Sequence, residues 1–294
     1  MRYTDIDKCE KNMDGKLVLC ATPIGNLKDM TPRVVEALME ADLIAAEDTR
    51  NSLKLLNHFQ INTPMTSYHE HNKIEKAKYL TEQMHAGKTI ALITDAGTPA
   101  ISDPGEVLVQ MCQQEGITVT SLPGACACIT ALTLSGLSAR RFCFEGFLPA
   151  DKKEKQEILK ELREETRTII LYEAPHRLVK TLKELFEMLG DRRVTLCREL
   201  TKKFETVLPT TLAGALRLYE TEEPRGEYVL VLEGRSLADK KQETIRSWQE
   251  ISIEEHMKFY EDGGSTRKDA MKAVAADRGL SKREIYRYLL EKES

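Results

Sequence analysis

No stretch of this 294-residue sequence stays apolar over a membrane-spanning length, and its opening residues, MRYTDIDKCEKNMD, are polar and carry no signal-peptide or lipidation pattern. Those two absences make a cytoplasmic protein the expectation. A CxxC pair is also missing. The seven cysteines (Cys9, Cys20, Cys112, Cys126, Cys128, Cys143 and Cys197) are scattered and odd in number. Such spacing argues against a disulfide framework and against a zinc site, and leaves them as small buried apolar residues. Positive charge is not in excess either. A net charge of −4 counts against a polycation that coats nucleic acid, although a local basic patch escapes a global average.

Several catalytic signatures are lacking. There is no GxGxxG and no GxxxxGK followed by Ser or Thr, so neither a nicotinamide cofactor nor a nucleoside triphosphate is the first choice. HExxH is absent, and so is the GxSxG elbow of serine acyl transfer. His69-Glu70-His71 resembles a metal pair, but no third ligand stands at a sensible spacing. Local loop structure is the expectation there, with no metal.

What is present is an alternation. Lys16–Ala21, Leu43–Ala46, Thr89–Ile93 and Ile117–Leu122 read as short buried strands. Between them lie helical segments: one capped by Thr31-Pro32, one from Asn72 to Ala86 closed by Gly87, and one started by Asp103-Pro104 and stopped at Gly116. Thr168–Tyr172, Val194–Cys197 and Glu227–Leu232 continue the strands, with a helix over Pro175–Leu189. Apolar strands separated by helices predict a mostly parallel sheet covered on both faces. The charged stretch DKKEKQEILKELREE after Pro149 reads as a solvated helix face.

The expected organisation is α/β in two units, 14–122 and 123–235, with a small helical extension over 236–294. In that extension Ser265 is the expected cap of a helix ending at Asp277. Gly279 makes a turn, and Ser281 and Glu284 form a capping box for a second helix. Helix, Gly-containing turn, helix is the outline of a helix-turn-helix. From Thr266 onward the sequence has eight Lys and Arg against five Asp and Glu. Lys282, Arg283 and Arg287 fall on the second helix and are candidate RNA contacts; a small helical cap is the competing reading.

In an open α/β sheet, ligands bind beyond the carboxyl ends of the strands. Four such loops are richer in Gly, Pro, Thr and Asp than turning requires: 21–27 (ATPIGNL), 47–50 (EDTR), 94–105 (TDAGTPAISDPG) and 123–127 (PGACA). Gly and Pro let backbone approach a ligand closely and hold a loop still.

These loops, with SYHEHN, RFCFEGFLP, LYEAPHR, CRELTKKFE and GEYVLVLEG, in order from about residue 16 to 234, resemble the small-subunit (16S) rRNA (cytidine-2′-O-)methyltransferase family of the tetrapyrrole methylase fold. The resemblance implies class III S-adenosylmethionine methyltransferase architecture, with the cofactor between two α/β domains, a homodimer, and a cytidine ribose near the decoding centre of 16S rRNA or the small ribosomal subunit as substrate. Its cofactor contacts would fall on Ile24, on Thr94, Asp95 and Thr98, on Cys126 and Ala127, and near Glu173. Two positions depart from related proteins: Cys126, where Ser or Thr is common, and Ala125, where a proline often stands.

A ribose hydroxyl needs a base or charge stabilisation to react near neutral pH. Asp48 and Glu47 are the sequence's candidates for the base, and Arg50 for orienting it or gripping phosphate. Asp103 and Glu173 face the same expected cleft. His176 and Arg177 suit RNA phosphate or acceptor positioning. For each, a helix cap or a bracing ion pair is the competing reading. A different methyl acceptor on the same fold, such as a tetrapyrrole or a modified histidine, and a non-catalytic RNA-binding factor are the rival functions.

Overall fold

The computed structural model describes residues 15–293; Cys9 and the expected first residue of the N-terminal unit, Asp14, lie outside them. The first sheet is built from β1 (Lys16–Cys20), β2 (Leu43–Ala46), β3 (Met65–Ser67), β4 (Ile90–Ile93) and β5 (Thr118–Leu122). All its pairings are parallel, in the order β3-β2-β4-β1-β5. Parallel neighbours need crossovers, and these are α1 (Pro32–Glu40), α2 (Thr49–His58), α3 (Lys73–His85) and α4 (Glu106–Gln114). One face buries Val34, Leu38 and Leu56 of α1 and α2. The other buries Leu80, Met84, Leu108 and Cys112 of α3 and α4. With both faces covered, β1 and β4 are buried along nearly their whole length, which is why they read as unbroken apolar runs.

The strand order places a switch point at the centre. From β1 the chain runs across β4 to β2, whereas from β4 it runs back across β1 to β5. The loops leaving β1 and β4 therefore diverge and open a crevice at their carboxyl ends.

The second sheet runs β6 (Phe142–Phe147), β7 (Thr168–Glu173), β10 (Tyr228–Leu232), β8 (Arg193–Arg198) and β9 (Thr206–Thr211) in spatial order. Here the expectation of a mostly parallel sheet fails. Only β6 and β7 are parallel; β10 is antiparallel to β7 and β8, and β8 to β9. The physical reason is the connection: residues 199–205 turn tightly between β8 and β9, with no helix to carry the chain back. One face packs on α6 (Lys152–Glu164), α7 (Pro175–Leu189) and α8 (Leu212–Leu218) through Leu159, Leu182 and Leu212. The charge-rich α6 is thus half buried, and its Lys155 is tied to Glu184 at 2.8 Å. The opposite face is covered by α5 (Ala127–Leu134), whose Cys128, Ala131 and Leu132 meet Ile170, Cys197 and Val231.

Beyond the sheets, four helices replace the two expected: α9 (Leu237–Gln249), α10 (Ile253–Asp262), α11 (Arg267–Asp277) and α12 (Lys282–Glu293). Thr266, not Ser265, caps α11, because its hydroxyl reaches the Asp269 amide. The Ser281–Glu284 box forms at α12 as expected. Met257, Ala270, Val274 and Ile285 make the bundle's core. Beside it the buried His256 ring stacks on Trp248 at 3.7 Å and accepts a hydrogen bond from Arg278 at 3.1 Å. No helix of the described residues is long and apolar enough to cross a membrane.

Candidate functional site

All four singled-out loops meet, three of them around one cavity and the fourth through the Asp48 amide, which donates to Asp95 at 3.3 Å. Thr22 and Gly97 exchange backbone hydrogen bonds of 2.9 and 3.1 Å, and the Thr22 hydroxyl donates to the Thr94 carbonyl at 3.2 Å. Thr98 donates its hydroxyl to the Ala125 carbonyl at 3.0 Å. Gly97 needs its glycine twice over: φ is +88°, and a Cβ there would stand 3.2 Å from Ile24 Cγ2. Gly124 lies so close to Ala21 that a Cβ would come within 2.6 Å of the alanine methyl.

A cavity of about 240 Å³ opens where these turns face the second sheet. From the first half it is lined by Ile24, Gly97, Thr98 and Asp103; from the second by Cys126, Ala127, Phe147, Tyr172 and Glu173. Ile24 also packs on the core beneath α5, so the loop after β1 bridges both halves. Tyr172 is fixed between Phe144 and Phe147, edge to face at 4.9 and 5.6 Å, and its hydroxyl accepts from the Cys128 amide at 3.0 Å.

The acidic residues separate by environment. Asp48 caps α2, accepting from the Arg50 amide at 2.8 Å, while the Arg50 side chain reaches both carboxylate oxygens at 3.3 and 3.0 Å. Those bonds hold Asp48 below the usual carboxylate range. Asp103 is not a helix cap: α4 starts at Glu106, and the Asp103 carboxylate accepts from the Thr94 hydroxyl at 2.9 Å. Burial lifts Asp103 above the ordinary range, against the opposing Thr94 bond and with a further push from Asp95. Glu47 is lifted by burial and then by Asp103, and its Oε2 is buried without a hydrogen-bond partner.

Other expected residues are placed differently. Thr94 lies beneath the cavity as a brace rather than on its wall. Asp95 faces a neighbouring hollow. Glu173 reaches the cavity, but its carboxylate accepts from the Ala174 amide at 2.9 Å and from the Thr181 hydroxyl at 2.5 Å, which ties down the first turns of α7. Arg177 is drawn inward, 3.4 Å from Glu173 and donating to the Leu148 carbonyl at 2.5 Å, whereas His176 is exposed. Arg50 points outward with 88% of its side chain exposed. Lys282, Arg283 and Arg287 are all exposed on α12. His69 and His71 sit edge to face at 6.0 Å in the turn before α3, where Asn72 accepts from the His69 amide. Among the described residues, no group of three or more His, Cys, Asp or Glu could hold a metal ion.

Residue-level reading did not single out Tyr228, Glu199 or Lys202, all of which line the cavity. Lys202 bridges Glu199 and Glu227 at 3.0 and 2.7 Å. Glu199 and Thr201 hold positive φ, as does Ala100 in the loop after β4; strained backbone of this kind concentrates at functional sites. A Cβ on Gly25 would strike Lys202 Cγ at 2.4 Å, so this strained turn is pressed against the loop after β1.

Cys126 stands at the N-cap of α5, with Sγ 3.3 Å from Cys128 Sγ. Either thiol can donate across this contact, and a bond from Cys128 holds Cys126 well below the ordinary thiol range. Burial raises Cys20, Cys112, Cys143 and Cys197. Limiting iodoacetamide at pH 7 should therefore alkylate Cys126 first among these residues, since the thiolate is the nucleophile. Peptide mass mapping checks it; equal labelling of Cys126 and Cys143 would contradict this ordering.

Residues 16–215 match the family described as Tetrapyrrole (Corrin/Porphyrin) Methylases. A protein of Halalkalibacterium halodurans named Ribosomal RNA small subunit methyltransferase I is 47% identical over 94% of this chain and 95% of its own length. One of the same name from Escherichia coli O157:H7 is 42% identical over 96% and 97%. Among solved structures, a diphthine synthase superposes with a TM-score of 0.60 at 16% identity, over 74% of this chain and 90% of that one. Thermus thermophilus uroporphyrin-III C-methyltransferase, solved with S-adenosyl homocysteine, superposes with a TM-score of 0.52 at 18% identity, over 74% and 97%.

Proposed function

This chain belongs to the tetrapyrrole methylase family and, within it, to the Ribosomal RNA small subunit methyltransferase I proteins, and on that premise we propose that it moves a methyl group from S-adenosylmethionine to a cytidine ribose 2′-hydroxyl in the RNA of the small ribosomal subunit. The observation that carries this reading is the meeting of the three turns, at a switch point, around a cavity that holds a carboxyl group lifted by burial.

The residues present fit the cofactor. Gly97 offers backbone without bulk, Ile24 an apolar side chain, Ala125–Ala127 bring the start of α5, and Phe147 and Tyr172 add flat apolar surface. When bound, S-adenosylmethionine supplies an electrophilic methyl group on a sulfonium. The chain's own work is then positioning, exclusion of water and removal of the hydroxyl proton. Asp103 takes the proton, held in place by Thr94. Asp48, whose carboxylate is committed to Arg50 and the α2 cap, is the cap and ion-pair partner and not the base. Glu173 positions α7.

The exposed cations of α12, with His176 and Arg50, give RNA phosphate its contacts. Removing residues 236–294 should weaken binding to small-subunit particles by on the order of tenfold, as expected when several phosphate-facing cations are lost, while cofactor affinity holds. Equal particle affinity with and without these residues would favour the helical-cap reading. The division into 14–122, 123–235 and 236–294 is proposed because each part closes its own core. A homodimer and a cytoplasmic address complete the reading; exposed Ile129 and Leu134 on α5 offer apolar surface for a second copy.

The direct test incubates the protein and methyl-labelled S-adenosylmethionine with small subunits from cells lacking it, then maps the label. Label on a cytidine ribose supports the function. Label on a base, or none on RNA, overturns it.

A further inference from the structure

Beside the cavity lies a second hollow of about 280 Å³, and at two places consecutive residues line one and then the other. Ile24 lines the cavity and Gly25 the hollow; Ala96 lines the cavity and Asp95 the hollow. A group seated in the hollow is therefore adjacent to whatever reacts in the cavity.

The hollow's chemistry is specific. Pro23, Leu27 and Leu55 form an apolar wall, and Leu27 is 43% exposed. The Asp95 carboxylate lines the same hollow, steered by two donors: the Asp48 amide at 3.3 Å on Oδ1 and the Asn51 side-chain amide at 3.2 Å on Oδ2. Each oxygen keeps a further lone pair. Lys54 adds an exposed cation one turn along α2 from Asn51, and Arg50 another at the start of the same helix. A flat ring against an apolar wall, an acceptor at one edge and cations nearby are the needs of a nucleotide in RNA.

We propose that this hollow receives the base of the acceptor nucleotide, and that Asp95 selects a base with an exocyclic amine over its keto counterpart. A carboxylate accepts from the amine of cytosine, whereas the carbonyl that uracil presents there meets it as acceptor against acceptor. The proposal rests on the RNA-methylation reading and goes beyond it, in placing the acceptor and naming what discriminates.

The test compares methyl transfer to small subunits carrying cytidine or uridine at the modified position, with cofactor affinity measured separately by calorimetry. The protein should favour cytidine by about tenfold to a hundredfold, the usual value of one good base-edge contact. In Asp95→Asn that ratio should collapse to near unity, with cofactor affinity unchanged. Leu27→Trp, which fills the hollow, should abolish transfer to either particle while still binding cofactor. Lys54→Ala should raise KM equally for both particles and leave kcat alone. An unchanged cytidine preference in Asp95→Asn, undiminished transfer by Leu27→Trp, or an Asp95→Asn defect confined to cofactor binding would each overturn the proposal. Absence of transfer by the unsubstituted protein would instead overturn the RNA-methylation reading beneath it.

Discussion

Replacing Asp103 by asparagine lowers turnover about a hundredfold or more, the range over which a positioned general base contributes, and leaves cofactor affinity nearly unchanged. Asn keeps the shape and can still accept from the Thr94 hydroxyl, which donates to Asp103 at 2.9 Å, so the loop holds. What it loses is basicity. Burial, with Asp95 adding to it, puts this carboxyl above the ordinary Asp range, closer to neutrality than a solvated carboxylate and correspondingly better matched to taking a hydroxyl proton. The acid limb of the pH–rate profile should accordingly lie above the ordinary Asp range and disappear in the variant. For folding the sign is opposite. A carboxyl whose folded pKa is raised binds its proton more tightly when folded, so ionising it costs stability as pH rises from the unfolded value through the folded one.

Asp48→Ala makes the contrast. Its carboxylate already serves the α2 cap and Arg50 and is held low, so the expected result is a small loss of helix stability with turnover little affected. A hundredfold loss in Asp48→Ala, beside near-normal Asp103→Asn, would return the base to Asp48.

The second large effect comes from a methyl group. Gly124→Ala places a Cβ 2.6 Å from that of Ala21, a separation that carbon atoms do not tolerate. Both sites are turns held by backbone contacts, so one loop must retreat. Overpacking of this kind costs about 1–3 kcal/mol. If the strain falls wholly on the site, cofactor affinity drops by about fivefold to 150-fold. Adding Ala21→Gly removes the opposing carbon and should restore affinity; the pair is a double-mutant cycle with an opposite-sign coupling. Isothermal titration of the four proteins checks it. A Gly124→Ala protein that binds normally, or one that Ala21→Gly leaves unrescued, would mean that the two turns do not press together.

Four strands of the first sheet were legible, β1, β2 and β4 because doubly covered parallel strands are apolar throughout. The turns at 21–27, 94–105 and 123–127 stood out because they carry more Gly, Pro and Asp than chain reversal needs. β3, only three half-buried residues, was not legible. Nor were β6 and β9. Gly146 interrupts β6 at a register shift with φ of +63°, and Pro209 lies in β9, which an edge strand accommodates. The antiparallel direction of β10 was illegible in principle, since five apolar residues read alike in either sense. Asp103 before Pro104 looked like a cap, and only the fold turns it toward Thr94. Glu199 and Lys202 belong to the site because a strained turn far along the chain leans on Gly25, a contact no local pattern encodes. α10 was within reach: Ser252 and Glu255 form the same box as Ser281 and Glu284.

A crystal structure with S-adenosylmethionine bound is the most direct measurement. The donor should lie between residues 21–27, 94–105 and 123–127, with its methyl group toward Asp103. Density for it elsewhere, or those turns drawn apart around it, would contradict the site from which the mechanism has been built.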